Sequence, residues 1–375
     1  MNDPSPSCLD GDATSTPLPA LLEALSGRRP RTMPVWFMRQ AGRSLPEYRK
    51  ARSGTAMLDA CLDPDLVAEI TCQPVRRHGV DAGIFFSDIM VPLKLAGADV
   101  EITPGIGPVF SSPVRSRADV DALTSRQIDS IDVIVEAARA CCTELDGTAT
   151  PLIGFAGAPF TIAAYAAEGR GSRDHLAARA LMHSDPEAWH RLAAWAADLA
   201  IAFLRAQVEG GARAVQLFDS WAGALSRSDY RTFCLPHSRR VLQTLRADGV
   251  PTIHFGTGTA HLLVDMRDAG ATCVGVDYRT PLDEAAALLR SDNQVNHSCG
   301  PVILQGNIDP ALLACPRDAL HAHTRDVIER GRRADAHIVN LGHGIPPTTD
   351  PQVLTDLVAF IHDLPAGTLA SPEGM

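Results

Sequence analysis

Lysine is almost missing from this chain: of 34 basic residues, only Lys50 and Lys94 are lysines, and the others are arginines. Schiff-base chemistry, that of pyridoxal phosphate included, has just those two candidates, which argues against it. No stretch approaches the roughly 18 uninterrupted apolar residues that span a bilayer. The N-terminus, MNDPSPSCLDGDATSTPLPA, has no basic start followed by an apolar block. Together these predict a cytoplasmic protein with no membrane partner. Positive charge is in deficit too, with 44 acidic residues and a net charge of −10, which argues against nucleic acid as a partner. Nine cysteines are widely spread with no C-x-x-C pair, and the one close pair, Cys141 and Cys142, lies in a helix-like run. Reduced thiols, mostly filling the core, are expected.

What the chain has is apolar mass. At 375 residues, 45% hydrophobic and 21% charged, it can bury a sizeable core and is not a disordered chain. Residues 1–17 read as a disordered leader and 366–375 as a flexible tail. No repeat or interior linker divides 18–365, which is expected to be one domain. Within it, eight short apolar runs read as strands: VWFM 35–38, AGIFF 82–86, LIGFAG 152–157, AVQLFD 214–219, PTIHFG 251–256, VGVDYR 274–279, VILQGN 302–307 and HIVNLGHG 337–344. Helical periodicity occupies 129–145, 186–209, 259–269 and 317–333. The alternation predicts the α/β class and a single (β/α)8 TIM-type barrel with an N-terminal extension. An open doubly wound sheet competes, but it usually carries a glycine-rich phosphate turn after its first strand, and VWFM runs into RQAGRS instead. The stretch 90–120 predicts a β-hairpin excursion around TPGIG rather than a helix.

A barrel keeps its chemistry at the C-terminal ends of its strands. Those ends carry Arg39, then Ser87 and Asp88, Pro159 to Tyr165, Asp219 and Ser220, Gly256 to Gly258, Asp277 to Arg279, Asn307 and Asp309, and finally His343. Helix capping accounts for some of them, Ser220 and Thr259 among them. It accounts less well for Arg39 and Arg43, for the carboxylate in FFSDIM, or for a histidine between two glycines. The basic run 28–52, with Glu47 as its single acid, is either a solvated surface or a cradle for a polyanion.

The segments PVWFMRQAGRSLPEYR and GFAGAPFTIAAYAAEG closely resemble the two signature stretches of the uroporphyrinogen decarboxylase family. FFSDIMVPLKLAG, LFDSWAGALS, LQGNIDP and NLGHGIPPTTDP match it in the same order, so the resemblance runs from about residue 20 to 364. Ser44 departs from it, because many members carry an aromatic residue there.

The resemblance implies cofactor-independent removal of four acetate carboxyls from uroporphyrinogen III to give coproporphyrinogen III, with no metal, in a homodimer. It makes Asp88 the carboxylate that faces the pyrrole N–H groups. Arg39 and Arg43 become carboxylate binders, with a proton-donating role for Arg39 as a hypothesis. Tyr165 and His343 become substrate contacts able to relay a proton, and Ser220 a hydrogen-bond donor. Two rivals share the scaffold. In a zinc-dependent methyltransferase a histidine and a nearby cysteine would follow the fifth strand, where IHFGTGTA offers His254 without a thiolate. A catalytically silent porphyrin-binding protein would have no use for a carboxylate aimed at the pyrrole nitrogens.

Overall fold

The computed structural model describes residues 18–296 and 300–365, so the leader and tail lie outside the described residues. Its frame is a parallel sheet of seven strands in the order β1 (Gly83–Ile84), β4 (Leu152–Gly157), β5 (Ala214–Asp219), β6 (Thr252–Gly256), β7 (Cys273–Gly275), β8 (Ile303–Ile308) and β9 (Ala336–Leu341). β4, β6, β8 and β9 are buried along their whole length. Strands covered on both faces lose the polar–apolar alternation and read as mainly apolar runs, and the polar residues these carry, Gln305, Asn307 and Asn340 among them, are buried as well.

The segment at Val35 completes the ring. Trp36 N–H donates to the Val339 carbonyl and Val339 N–H to that of Pro34, at 3.3 and 2.8 Å. On the other side Asp81 N–H donates to the Val35 carbonyl at 2.8 Å. All eight expected runs thus take their places in a closed α/β barrel, but 35–38 is a single bridge to Val339 rather than a regular strand. The reason is that side chains replace the ladder: Phe37 N–H donates to Gln40 Oε1 and Met38 N–H to Asn340 Oδ1, each at 3.0 Å. Inside, Trp36 Nε1 donates to Gln305 Oε1 and Gln305 Nε2 to Gln216 Oε1, a buried chain that crosses the barrel.

The helices follow their capping chemistry. Pro186–Glu209 starts where Asp185 accepts the Ala188 N–H at 3.1 Å, and buries Trp189, Leu192, Ala196, Leu199 and Phe203 on one stripe. Pro64–His78, which periodicity did not single out, is capped by Asp63 and ended by Gly79 in the left-handed region. The expected hairpin is present as β2 (Val100–Thr103) paired antiparallel with β3 (Gly107–Phe110). Short helices Val91–Leu95 and Arg117–Thr124 flank it, so 90–120 is not free of helix. Five of the seven described cysteines are buried, all seven are free thiols, and burial pushes the Cys141 thiol up to about 12.

Three buried histidines make the fold acid-sensitive. Desolvation lowers His78, His237 and His337 to about 4, while His362, paired with Asp81, is raised. An unfolded chain binds protons at these rings below the free value of about 6.5 and the fold refuses them, so stability falls as pH drops from there towards 4. His175, His321 and His343 are lowered too, so His362 works in the opposite sense as one group against six. The melting temperature is expected to be several degrees lower at pH 5 than at pH 7.5, and an unchanged value would contradict this.

Candidate active site

Arg39 stands in a turn with φ of 63°, one of only two non-glycine residues with positive φ among the described residues. L-residues avoid that region, and surrounding structure must hold them there. Gln40 does so. It is fully buried, takes the Phe37 N–H on Oε1 and donates from Nε2 to the Ala82 carbonyl at 2.9 Å, tying the turn to β1. The Arg39 side chain then extends past Gly344, where a Cβ would lie 2.6 Å from Arg39 Cδ. Gly342 abuts Tyr278 more closely still, a Cβ there running into the Tyr278 backbone nitrogen, so the loop carrying His343 is wedged between Arg39 and the 277–279 segment. Gly344→Ala is therefore expected to keep the fold while displacing Arg39, with kcat/KM falling about 10- to 100-fold. Wild-type kinetics in that variant would show that the path of Arg39 is immaterial.

Asp88 follows β1. Its Oδ1 accepts the Met90 N–H at 2.9 Å ahead of helix Val91–Leu95, while no hydrogen bond reaches its second oxygen among the described residues. The capping role and a ligand-facing role thus fall on different oxygens of one carboxylate. Desolvation raises the Asp88 pKa, opposed by the Met90 N–H and by the Arg39 charge. Tyr165, on helix Pro159–Glu168, is pushed up to about 12 by burial and then by Asp88, with Arg39 opposing. His343 is lowered by burial, then by Arg39 and Arg279. Arg39 therefore acts on Asp88, Tyr165 and His343, and Asp88 on Tyr165, so that four expected site residues from four different strand ends share the field of one guanidinium.

Arg43 lies exposed next to them, and Tyr48 feels both it and Asp88. Arg49, also exposed, donates from Nη1 to the Arg43 carbonyl at 2.6 Å and braces that loop. Ser44 is buried, with its hydroxyl unpartnered. Ser220 follows β5, and its carbonyl accepts from Thr257 Oγ1 at 2.7 Å. Next to it Trp221 stacks on the Tyr165 ring at 3.8 Å and on His175 at 4.4 Å. That stack, which sets the Tyr165 ring beside Ser220, escaped the sequence reading, since no spacing rule relates 165, 175 and 221.

His254 is fully buried on β6, with Nδ1 3.3 Å from the Met266 carbonyl and Nε2 3.6 Å from Asp219 Oδ2. Among the described residues no group of three or more His, Cys, Asp or Glu is placed to hold a metal ion. Asp219 in turn accepts from Thr161 Oγ1 at 3.1 Å, fastening the helix that carries Tyr165 to β5.

Charged and hydrogen-bonding groups converging where the strands end mark an α/β-barrel enzyme. A family model for uroporphyrinogen decarboxylase matches residues 16–364. The chain belongs to the uroporphyrinogen decarboxylase family. A uroporphyrinogen decarboxylase of Arthrobacter sp. (strain FB24) is 57% identical over 95% of this chain and 99% of its own. One from Leifsonia xyli subsp. xyli is 55% identical over 91% and 93%. Among solved structures, a methyltransferase from Methanosarcina mazei superposes with a TM-score of 0.72 at 20% identity, covering 91% of this chain and 97% of its own. That likeness is one of fold.

Proposed function

We propose that this chain removes the four acetate carboxyls of uroporphyrinogen III as carbon dioxide, leaving methyl groups and giving coproporphyrinogen III. It works in the cytoplasm as a homodimer, without metal or organic cofactor. The observation that carries the reading is the single Asp88 carboxylate, one oxygen anchored and the other free, within the field of Arg39 and acting on Tyr165.

Each acetate takes up one proton and loses one carbon dioxide. A proton added to the ring carbon beside the acetate makes the pyrrole cationic, and the electrons of the breaking carbon–carbon bond flow into that ring. The methylene left behind then takes a proton to become the methyl while the ring carbon gives its proton back, a net uptake of one. A fixed carboxylate stabilises the charge as it develops. Asp88 does this through its free oxygen, facing the pyrrole N–H groups. A flexible macrocycle can turn all four rings to one carboxylate, so one site serves four reactions. Arg39 and Arg43 bind substrate carboxylates, with forked donors that stay charged. For the same reason Arg39 acts chiefly by charge, since giving up its proton is costly. Tyr165, with its pKa near 12, keeps its proton at neutral pH, and His343, lowered, is neutral there. The first can donate a hydrogen bond or a proton, and the second can hold a carboxylate or pass a proton through water. Ser220 donates a hydrogen bond to substrate.

Carbon dioxide release tests the cofactor-independent reaction. Protein treated with a chelator and dialysed should release four equivalents per uroporphyrinogen consumed. A rate restored only by added zinc would transfer the chemistry to a metal.

A further inference from the structure

We propose that Arg279 is a further substrate-carboxylate binder, a second cationic wall of the cleft facing Arg39 and Arg43 across His343; this rests on the function proposed above. Arg279 stands four residues beyond the end of β7, on the mouth of the barrel where Asp88 and His343 lie. The loop Gly342–Gly344 touches Tyr278 through its first glycine and Arg39 through its last. Arg39 and the 278–279 segment therefore flank His343 from opposite sides, and both guanidiniums act on that imidazole.

Arg279 is also held ready rather than left to wave in solvent. Its Nη1 pairs with the carboxylate of Asp277, which is 2% exposed. Asp277 is itself fixed by the Gly258 N–H at 2.6 Å and the Arg279 N–H at 3.1 Å. The guanidinium carbon lies 4.7 Å from the Tyr278 ring centroid, stacked in a cation–π contact. Yet the side chain is 53% exposed, and Nε and Nη2 have no partner among the described residues. An arginine has five donors in a fixed fork, so one arm can be committed to Asp277 while the other meets a ligand oxygen. A substrate bearing eight carboxylates presents anions in several directions, and cations on one side of the cleft alone leave those opposite unmatched.

The test titrates the free protein with uroporphyrin and with coproporphyrin, oxidised probes bearing eight and four carboxylates, and measures turnover separately. Arg279→Gln should weaken uroporphyrin binding about tenfold at low salt, weaken coproporphyrin less, and flatten the salt dependence. Arg279→Lys, which keeps the charge, should recover part of the loss. Unchanged affinity for both porphyrins, or an equal loss for both with no change in salt dependence, overturns the proposal. Because binding is measured without turnover, a wild type that binds uroporphyrin through Arg279 but releases no carbon dioxide would refute the decarboxylase reading and leave this one standing.

Discussion

Asp88→Asn should abolish most turnover while leaving binding nearly intact. The amide keeps the oxygen that accepts the Met90 N–H, so the local turn survives. What disappears is the negative charge opposite the developing pyrrole cation. Losing one preorganised charge-stabilising group costs about 10²- to 10³-fold in kcat. A porphyrin with eight carboxylates is held mainly by cations, so its affinity should change little or tighten as a like charge is removed.

Two further readouts separate this role from a structural one. The Asp88 pKa is raised in the fold, so the folded state binds its proton more tightly than the unfolded chain does. The ionised carboxylate therefore costs stability at neutral pH, a cost relieved as pH falls through the folded value. Asp88→Asn should melt at the wild-type temperature or above it. The acid limb of the wild-type rate profile should lie above the ordinary carboxylate value and vanish from the residual activity of the variant. Full turnover in Asp88→Asn would remove the carboxylate from the mechanism.

The second large effect is on binding. Arg39→Ala should raise KM about 10- to 100-fold at low ionic strength, the scale of lost charge-assisted hydrogen bonds, and lower kcat as well, because Arg39 also acts on Asp88. Arg43→Ala should raise KM by about tenfold with kcat little changed, since its exposed charge is more screened. Both deficits should shrink as salt rises from about 0.05 to 0.5 M, because salt weakens the wild-type attraction they are measured against. Wild-type KM in both variants would make the basic run a solvated surface.

The barrel was legible because parallel buried strands are continuous apolar runs. LIGFAG 152–157 and AVQLFD 214–219 coincide with β4 and β5 to the residue. VGVDYR was less so: β7 ends at Gly275, because Asp277 turns the chain by accepting backbone N–H groups from Gly258 and Arg279. The first run failed as a strand for a related reason, with Gln40 and Asn340 side chains standing in for ladder partners. Periodicity carries no information about either device.

The candidate site could be laid out as a set of strand ends and, by resemblance, as a set of expected residues. Its internal order could not. The left-handed turn at Arg39, the glycine clearances on either side of His343 and the Tyr165–Trp221–His175 stack are contacts between segments distant in sequence. Arg49 shows a third case: the basic run alone does not distinguish its members, and the bond from Arg49 to the Arg43 carbonyl makes it a brace.

The most direct measurement is an anaerobic incubation of metal-free protein with uroporphyrinogen III, followed by oxidation and separation of the porphyrins by carboxyl number. Wild type should carry the eight-carboxyl species through seven, six and five to four, and Asp88→Asn should slow every one of those steps together, since one carboxylate serves all four rings. An unchanged eight-carboxyl peak with folded wild-type protein, or an Asp88→Asn profile in which only one step is slowed, would contradict a single-carboxylate decarboxylase.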